Sequence, residues 1–271
     1  MSAQLQVIAA QDVSTVARSS LLNMSAQLPG HAICTGNPQE LVPGDVGGRG
    51  PVKNKPIVLQ SGRWIAGGSQ EGFSGSGEWR CFVDWSDDQG ETWHRTDDLE
   101  APEGIGVIQP TIWESSPGHV SMLMRSSKGK NAVIMRASSH DAGRSWGAVY
   151  RTHLPNNNAA VDVARLPYSG TLILAYNPVT ENRTPLRLAV SMDNGKTWPL
   201  AYDVESEPGK SGIKGHPHEF SYPSIVPWPS LAVALNTTVR MLLHALFSCT
   251  LTVFAKRPAR YTSESSGWAL R

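Results

Sequence analysis

The sequence predicts an all-β chain that forms the blades of a β-propeller, and three observations carry that expectation. A motif of the form S-x-D-x-G-x-[ST]-W occurs as Ser86–Trp93, Ser139–Trp146 and Ser191–Trp198, at intervals of 53 and 52 residues. Short apolar segments of four to six residues, separated by turn residues, lead into each copy. With 25 Gly, 19 Pro and 9 Trp against 5 Phe, the composition suits a turn-rich β protein with one Trp per motif. A fixed period of this length marks one supersecondary unit repeated many times. A β-sandwich would explain the short strands but not a self-similar motif at constant spacing.

The motif has the chemistry of a hairpin turn. Its Asp can accept hydrogen bonds from backbone N–H groups one or two residues on, Gly supplies a positive φ, and Ser or Thr adds local side-chain bonds. The Trp then has a compact turn to pack against. These aspartates are therefore read as a folding staple and not as catalytic groups.

Length and charge set outer bounds. The 271 residues suffice for a sizeable core or one all-β domain of the upper size range. A formal charge of +1, with 17% charged and 40% hydrophobic residues, describes a soluble globular protein without a global bias towards nucleic acid or anionic membrane. Cys34, Cys81 and Cys249 make no C-x-x-C pattern and read as buried free thiols. Residues 1–20 lack a basic stretch followed by an apolar run, so no secretory signal is read there, and the sequons at Asn23, Asn182 and Asn236 carry no weight.

In chain order, residues 1–50 form a poorly defined segment that ends in a Gly/Pro-rich connector over 42–51. Repeat blades occupy 51–228. The first unit takes Pro56–Leu59, Trp64–Gly67 and Arg80–Trp85 as strands; the second takes Pro110–Trp113, Val120–Arg125 and Val133–Arg136; the third takes Val161–Leu166, Thr171–Tyr176 and Leu186–Val190. A fourth unit starts at Ser221–Val226 and then loses the pattern, leaving 229–271 as a divergent tail. The apolar stretch Met241–Ala255 is short for a membrane span, which needs about 20 residues.

Three features together resemble the sialidase (neuraminidase) superfamily over about residues 50–228: the boxes and the arginines ahead of them, Asn54-Lys55-Pro56-Ile57-Val58, and Tyr222 in Ser221-Tyr222-Pro223-Ser224-Ile225. That resemblance implies a six-bladed propeller with Asp-boxes, present here as an incomplete set, since the length holds about five units of this period. It also implies exo-glycosidic removal of a terminal acidic sugar such as sialic acid, with retention through a tyrosyl intermediate. Such sites bind the substrate carboxylate with three arginines, use a Tyr nucleophile with a Glu partner, and use an Asp as acid/base. The logic is physical: planar guanidinium groups meet a carboxylate bidentately, and a phenol is a poor nucleophile until a neighbouring carboxylate takes its proton.

Carried over by position, Arg125 and Arg183 match two carboxylate-binding arginines, Tyr222 the nucleophile, and Gln109 the place of its Glu partner. An amide there can orient a phenol but cannot act as its base. Glu219 and Glu71 are substitutes that the sequence does not place. Aligned on the boxes, the resemblance begins at about the third blade, so the first triad arginine and the acid/base Asp have no counterpart here. Lys53, Asn54, Lys55, Asn157, Asn158 and Asp162 lie at or just before innermost strands, where they line a sugar site or solvate the rim; Lys55, Asn158 and Asp162 are taken as substrate-binding. His216-Pro217-His218-Glu219 reads as a solvated loop and not a metal cluster, and Asp84, Asp87, Asp97 and Asp98 as solvated charges near a turn. No metal or cofactor is implied. The expected partner is a sialic-acid-like or other acidic glycan, with no nucleic acid and no membrane span. Two alternatives stand beside the enzyme: a non-catalytic glycan- or protein-binding propeller, and an incomplete fragment without activity.

Overall fold

The computed structural model describes residues 5–8, 40–45, 48–72, 79–127, 132–205, 219–228, 232–241 and 245–255. Within them the chain is all-β, with four four-stranded sheets and no helix. Strand β1 (Leu5–Ile8) comes first in sequence but lies in the last sheet. Sheet one holds β2 (Ile57–Val58), β3 (Trp64–Gln70), β4 (Arg80–Ser86) and β5 (His94–Arg95). Sheet two holds β6 (Val107–Ser116), β7 (His119–Ser126), β8 (Val133–Ser139) and β9 (Tyr150–Pro155). Sheet three holds β10 (Asp162–Arg165), β11 (Leu172–Tyr176), β12 (Leu186–Ser191) and β13 (Leu200–Glu205). In sheet four β14 (Glu219–Trp228), β15 (Ala232–Met241) and β16 (Ala245–Ala255) run on in order, and β1 pairs with the outer side of β16. All neighbours are antiparallel. The three boxes follow β4, β8 and β12, each leading to an outer strand that the sequence reading did not foresee.

The side-chain alternation of a strand explains how the sheets stack. In β7, Val120, Met122 and Met124 pack with Ile65 and Val83 of sheet one, whereas Leu123 packs with Val163, Leu172 and Leu174 of sheet three. Sheet three repeats the arrangement: Leu172, Leu174 and Tyr176 face sheet two, while Ile173 and Ala175 pack with Phe220 and Ile225 of β14. Both faces of the middle sheets are thus buried, which is why their strands read as apolar runs without polar alternation. Sheet one comes so close to sheet two that a Cβ on Gly67 would stand 2.7 Å from Pro110 Cγ and 3.1 Å from Ile112 Cδ1. Glycine is required there for proximity, not for its backbone freedom.

Neighbouring sheets are also latched through the boxes. Arg63 holds Asp87 with Nε (2.6 Å) and Nη2 (2.8 Å) and donates Nη1 to the carbonyl of Ala142 in the second box (3.0 Å). Arg136 donates to the carbonyls of Asn194 (2.9 Å) and Gly195 (3.0 Å) in the third box, and Trp113 donates Nε1 to Asn194 Oδ1 (2.7 Å).

Within each box the reach of the Asp is longer than a hairpin turn suggests. Asp88 accepts from Thr92 N at 2.9 Å and from the Thr92 hydroxyl, four residues on, and Asp141 and Asp193 do the same with Ser145 and Thr197. The buried Ser86 hydroxyl donates to Asp88 and accepts from Gly90 N, closing the loop from inside. The wider turn needs two consecutive left-handed residues. Gln89 (φ 62°), Ala142 (φ 61°) and Asn194 (φ 61°) precede Gly90, Gly143 and Gly195, which also have positive φ. Trp93 and Trp146 then donate Nε1 to Gly90 and Gly143 carbonyls, as a staple should.

Box chemistry sets an acid limit. Bonds from the Thr92 hydroxyl, Thr92 N and Ser86 hold Asp88 down at about 2. Partial burial pushes Asp141 up, but Ser145 and Ser139 outweigh it and bring it to about 2, and the Thr197 hydroxyl depresses Asp193 likewise. A carboxylate depressed in the folded state contributes stability that is complete above its unfolded value, about 3.9, and is lost as pH falls through the folded value. The thermal midpoint is therefore expected to drop between about pH 4 and about pH 2. A triple Asp88→Asn, Asp141→Asn, Asp193→Asn variant should start lower and show a flatter acid limb; an unchanged limb would remove the boxes from the account.

Two expectations are corrected or met. Asp84 is not solvated: it is fully buried and receives Arg49 Nε (2.7 Å) and Gly50 N (2.6 Å), tying the connector to β4. Cys81 is a buried free thiol, pushed well up by its burial.

Candidate functional site

The innermost strands of all four sheets meet at Asp162, the first residue of β10. Its Oδ1 accepts from Lys55 Nζ (2.9 Å), the Thr111 hydroxyl (2.7 Å) and Val163 N (2.8 Å), and its Oδ2 from Lys55 Nζ (3.0 Å) and Ile225 N (2.8 Å). Lys55 leads into β2, Thr111 lies in β6 and Ile225 in β14. Asp162 is 1% exposed and its lone pairs are filled, and Lys55 spends further capacity on the Val163 carbonyl (3.0 Å). Lys55 and Asp162, expected to bind substrate, are bonded to each other and to the inner strands, and the filled lone pairs of the buried carboxylate leave it no acceptor direction for a sugar.

A second layer braces the same region. Asn54, expected to line a sugar site or to solvate the rim, is buried and donates Nδ2 to the carbonyls of Gln109 (3.0 Å) and Val161 (3.2 Å). Lys53 donates to Asn54 Oδ1 and to the carbonyls of Val161 and Pro223. Burial lowers the Lys53 ammonium to about 8; Asp162 opposes the shift, while Lys55 and Arg125 add to it. Asn157 is buried, and among the described residues neither atom of its side-chain amide is hydrogen-bonded.

Above this frame stand Arg125, Arg183, Tyr222, Gln109 and Asn158, all expected from sequence and all brought together. Arg125, near the end of β7, is 7% exposed. Its Nε donates to Asn158 Oδ1 (2.7 Å), and its Nη1 reaches Gln109 Oε1 (3.1 Å) and the Tyr222 hydroxyl (3.5 Å). The Arg125 guanidinium carbon lies 5.4 Å from the Trp79 ring centre, and that of Arg183 lies 5.6 Å from the Tyr222 ring centre. Arg183 also donates Nη2 to the Asn158 carbonyl (3.2 Å). Tyr222 is 39% exposed.

Backbone strain concentrates here. Lys53 (φ 67°), Gln109 (φ 56°), Asn158 (φ 62°) and Tyr222 (φ 53°) are all left-handed without being glycine. Gln109 and Tyr222 share one device: each precedes a proline, in the innermost strand of its sheet, where the register shifts between Ile108 and Thr111 or between Ser221 and Ser224. A bulge re-aims a side chain, and residues held in sparsely populated φ, ψ regions cluster at functional sites.

One sequence candidate, Glu71, stays apart from this cluster. Glu71 is exposed beyond the end of β3 and, among the described residues, makes no hydrogen bond to Tyr222; His216, Pro217 and His218 lie outside the described residues. Trp79 and Thr111 were missed. The only sequence cue for Thr111 was its place two residues after Gln109, and Trp79 had none. As built, the site offers two guanidinium groups, two side-chain amides and one phenol, a set suited to an anionic, hydroxyl-rich ligand.

The BNR repeat-like domain family matches residues 4–234 of this chain. No curated protein matches it. Among solved structures it is similar to a protein of unknown function from Dyadobacter fermentans, with TM-score 0.59 and 16% identity over 75% of this chain and 53% of that one. A Hadza microbial sialidase gives TM-score 0.57 and 16% identity over 74% of this chain and 36% of the other. The NanB sialidase from Streptococcus pneumoniae gives TM-score 0.57 and 18% identity over 73% and 30%. The chain thus spans about half the length of the first and about a third of the other two. The match covers more than half of the chain, boxes included, and the chain belongs to the BNR repeat-like domain family.

Proposed function

We propose that this domain takes up a terminal acidic sugar in a sialidase-type site, with its four sheets as blades of a six-bladed-type propeller. Convergence of Arg125, Arg183 and Tyr222 from three different sheets carries the reading. The two arginines grip the sugar carboxylate, Asn158 and Gln109 orient Arg125, Tyr222 faces the sugar ring, and Lys55 with Asp162 keeps the inner strands in place. In the sialidase-type reaction Tyr222 attacks the anomeric carbon of a sialoside. A second reading, a glycan-binding domain without turnover, is favoured by Gln109, whose amide cannot take the phenol proton.

A fluorogenic aryl sialoside separates them. Release of the aryl group, reduced about 100-fold or more in Tyr222→Phe, supports the enzyme. Absence of turnover with sialic acid binding that is lost in Arg183→Ala supports the binding domain. Sialic acid binding that is absent from the wild type, or unaffected in Arg183→Ala, would overturn both.

A further inference from the structure

Lys53 is the centre of a three-residue turn. Asn54 N donates to the Val52 carbonyl (2.8 Å) across Lys53, whose φ of 67° gives the rare, strained form of that turn, and Val52 N is anchored on the Gly67 carbonyl of β3 (3.0 Å). Such strain persists only where the surroundings hold it, and here two consecutive side chains do so by reaching the two bulges of the site. Lys53 Nζ donates to the Pro223 carbonyl, next to Tyr222, and Asn54 Nδ2 donates to the carbonyl of Gln109 itself (3.0 Å). Lys53 also donates to Asn54 Oδ1 (2.9 Å), so the two arms act as one clamp, and both meet on the Val161 carbonyl (3.1 and 3.2 Å).

The number of donors decides what this clamp needs. An ammonium has three N–H groups and no acceptor, and Lys53 has three oxygen partners, so the charged form fits completely. A neutral amine brings two N–H groups and a lone pair, which leaves one of those oxygens facing a lone pair. None of the three oxygens carries a charge. The charged groups that act on Lys53 are Asp162 on β10, already bonded to Lys55, together with Lys55 ahead of β2 and Arg125 on β7, two cations to one anion. The Tyr222 phenol on β14, 3.5 Å from Arg125 Nη1, is the remaining titratable group of this cluster. A carboxylate arriving at Arg125 therefore favours the charge on Lys53, and by reciprocity that charge strengthens the hold on the carboxylate.

Resting on the reading that Arg125 and Arg183 hold a sugar carboxylate, we propose that Lys53 is a positioning residue for that site: its ammonium sets the Tyr222 and Gln109 bulges together, and an acidic sugar binds in company with a proton on Lys53. Burial brings that ammonium down to about 8, with Asp162 opposing the shift and Lys55 and Arg125 adding to it. Below about pH 8 Lys53 is charged with or without sugar, and affinity has its full value. Above it the free protein has lost the proton and binding must restore it, so affinity falls as pH rises until the sugar-bound form loses the proton as well.

Calorimetric titration of sialic acid into the full chain, from about pH 6.5 to about pH 9.5 in pairs of buffers with different ionisation enthalpies, tests this. If the bound carboxylate raises Lys53 by about one unit, affinity is about eightfold lower at the upper pH than at the lower, and each sugar brings in about half a proton at about pH 8.5 and almost none at about pH 6.5. Both results are read on the wild type and need no variant to fold. Lys53→Met, its folding checked by thermal midpoint, should bind about tenfold more weakly at about pH 6.5 and lose both the pH dependence and the uptake. Tyr222→Phe should keep them, which assigns the proton to Lys53 and not to the phenol. A packing role for Lys53 would weaken binding in Lys53→Met without any proton uptake by the wild type. Sialic acid binding without uptake at about pH 8.5, pH dependence that survives in Lys53→Met, or uptake that vanishes in Tyr222→Phe would overturn the role of Lys53 and leave the acidic-sugar site standing. A wild type that binds neither sialic acid nor galacturonate at about pH 6.5 would overturn that site, and this inference with it.

Discussion

Replacing Asp162 by alanine is expected to lower the free energy of unfolding by about 3–5 kcal/mol, the range for removing one partner of a buried ion pair. The Lys55 side chain is 28% exposed and that of Asp162 1%, so little solvent screening reduces the effect. The loss goes beyond one pair, because the Thr111 hydroxyl and the backbone N–H groups of Val163 and Ile225 lose their acceptor together. Asp162→Asn should be nearly as damaging: one oxygen becomes an NH2 group facing donors. Urea unfolding monitored by tryptophan fluorescence checks this, with the midpoint falling in both variants. A change within about 0.5 kcal/mol, typical of a surface site, would mean that the inner strands do not depend on this carboxylate.

Arg125→Ala is expected to weaken binding of a carboxylated monosaccharide by about 100-fold or more. Hydrogen bonds to a charged group contribute about 1.5–3 kcal/mol each, and each 1.4 kcal/mol is tenfold in affinity. A bidentate grip therefore reaches that figure without help from the neighbours. The Gln109 and Asn158 oxygens also lose their shared donor, so their NH2 groups are no longer aimed. Arg125→Lys should not restore affinity, since an ammonium lacks the planar fork that meets a carboxylate, Gln109 and Asn158 at once. Calorimetric titration of sialic acid and of galacturonate into the wild type and both variants reads the effect. Affinity in Arg125→Lys close to the wild type would show that charge alone, and not fork geometry, makes the site.

The repeat and its strands were legible because they rest on local rules. Three boxes at 53 and 52 residues gave the period, and the apolar runs around Ile65, Leu123 and Leu174 gave the strands. The convergence of Arg125, Arg183 and Tyr222 was legible only through the resemblance, since nothing local relates positions so far apart. What the residues could not show was how partners are shared out. Lys55 and Asp162 have the composition of a ligand site, yet each is consumed by the other, because the inner strands bring a cation and a carboxylate together across 107 residues. Asp84 misled in the same way: its neighbours in sequence suggest a solvated turn, and the Arg49 that neutralises it comes from the connector. The four-residue reach of the box aspartates was hidden because the left-handed backbone at Gln89, Ala142 and Asn194 belongs to residues with no strong preference for it in common. The bulges at Gln109 and Tyr222 leave one visible trace, the proline that follows each.

A crystal structure of the chain with galacturonate or sialic acid bound tests the central claim most directly. One carboxylate is expected to be hydrogen-bonded to both Arg125 and Arg183, with the Gln109 and Asn158 NH2 groups beside it and the Tyr222 hydroxyl against the sugar ring. A sugar seated elsewhere, or guanidinium groups of Arg125 and Arg183 turned to separate partners with the sugar present, would contradict it.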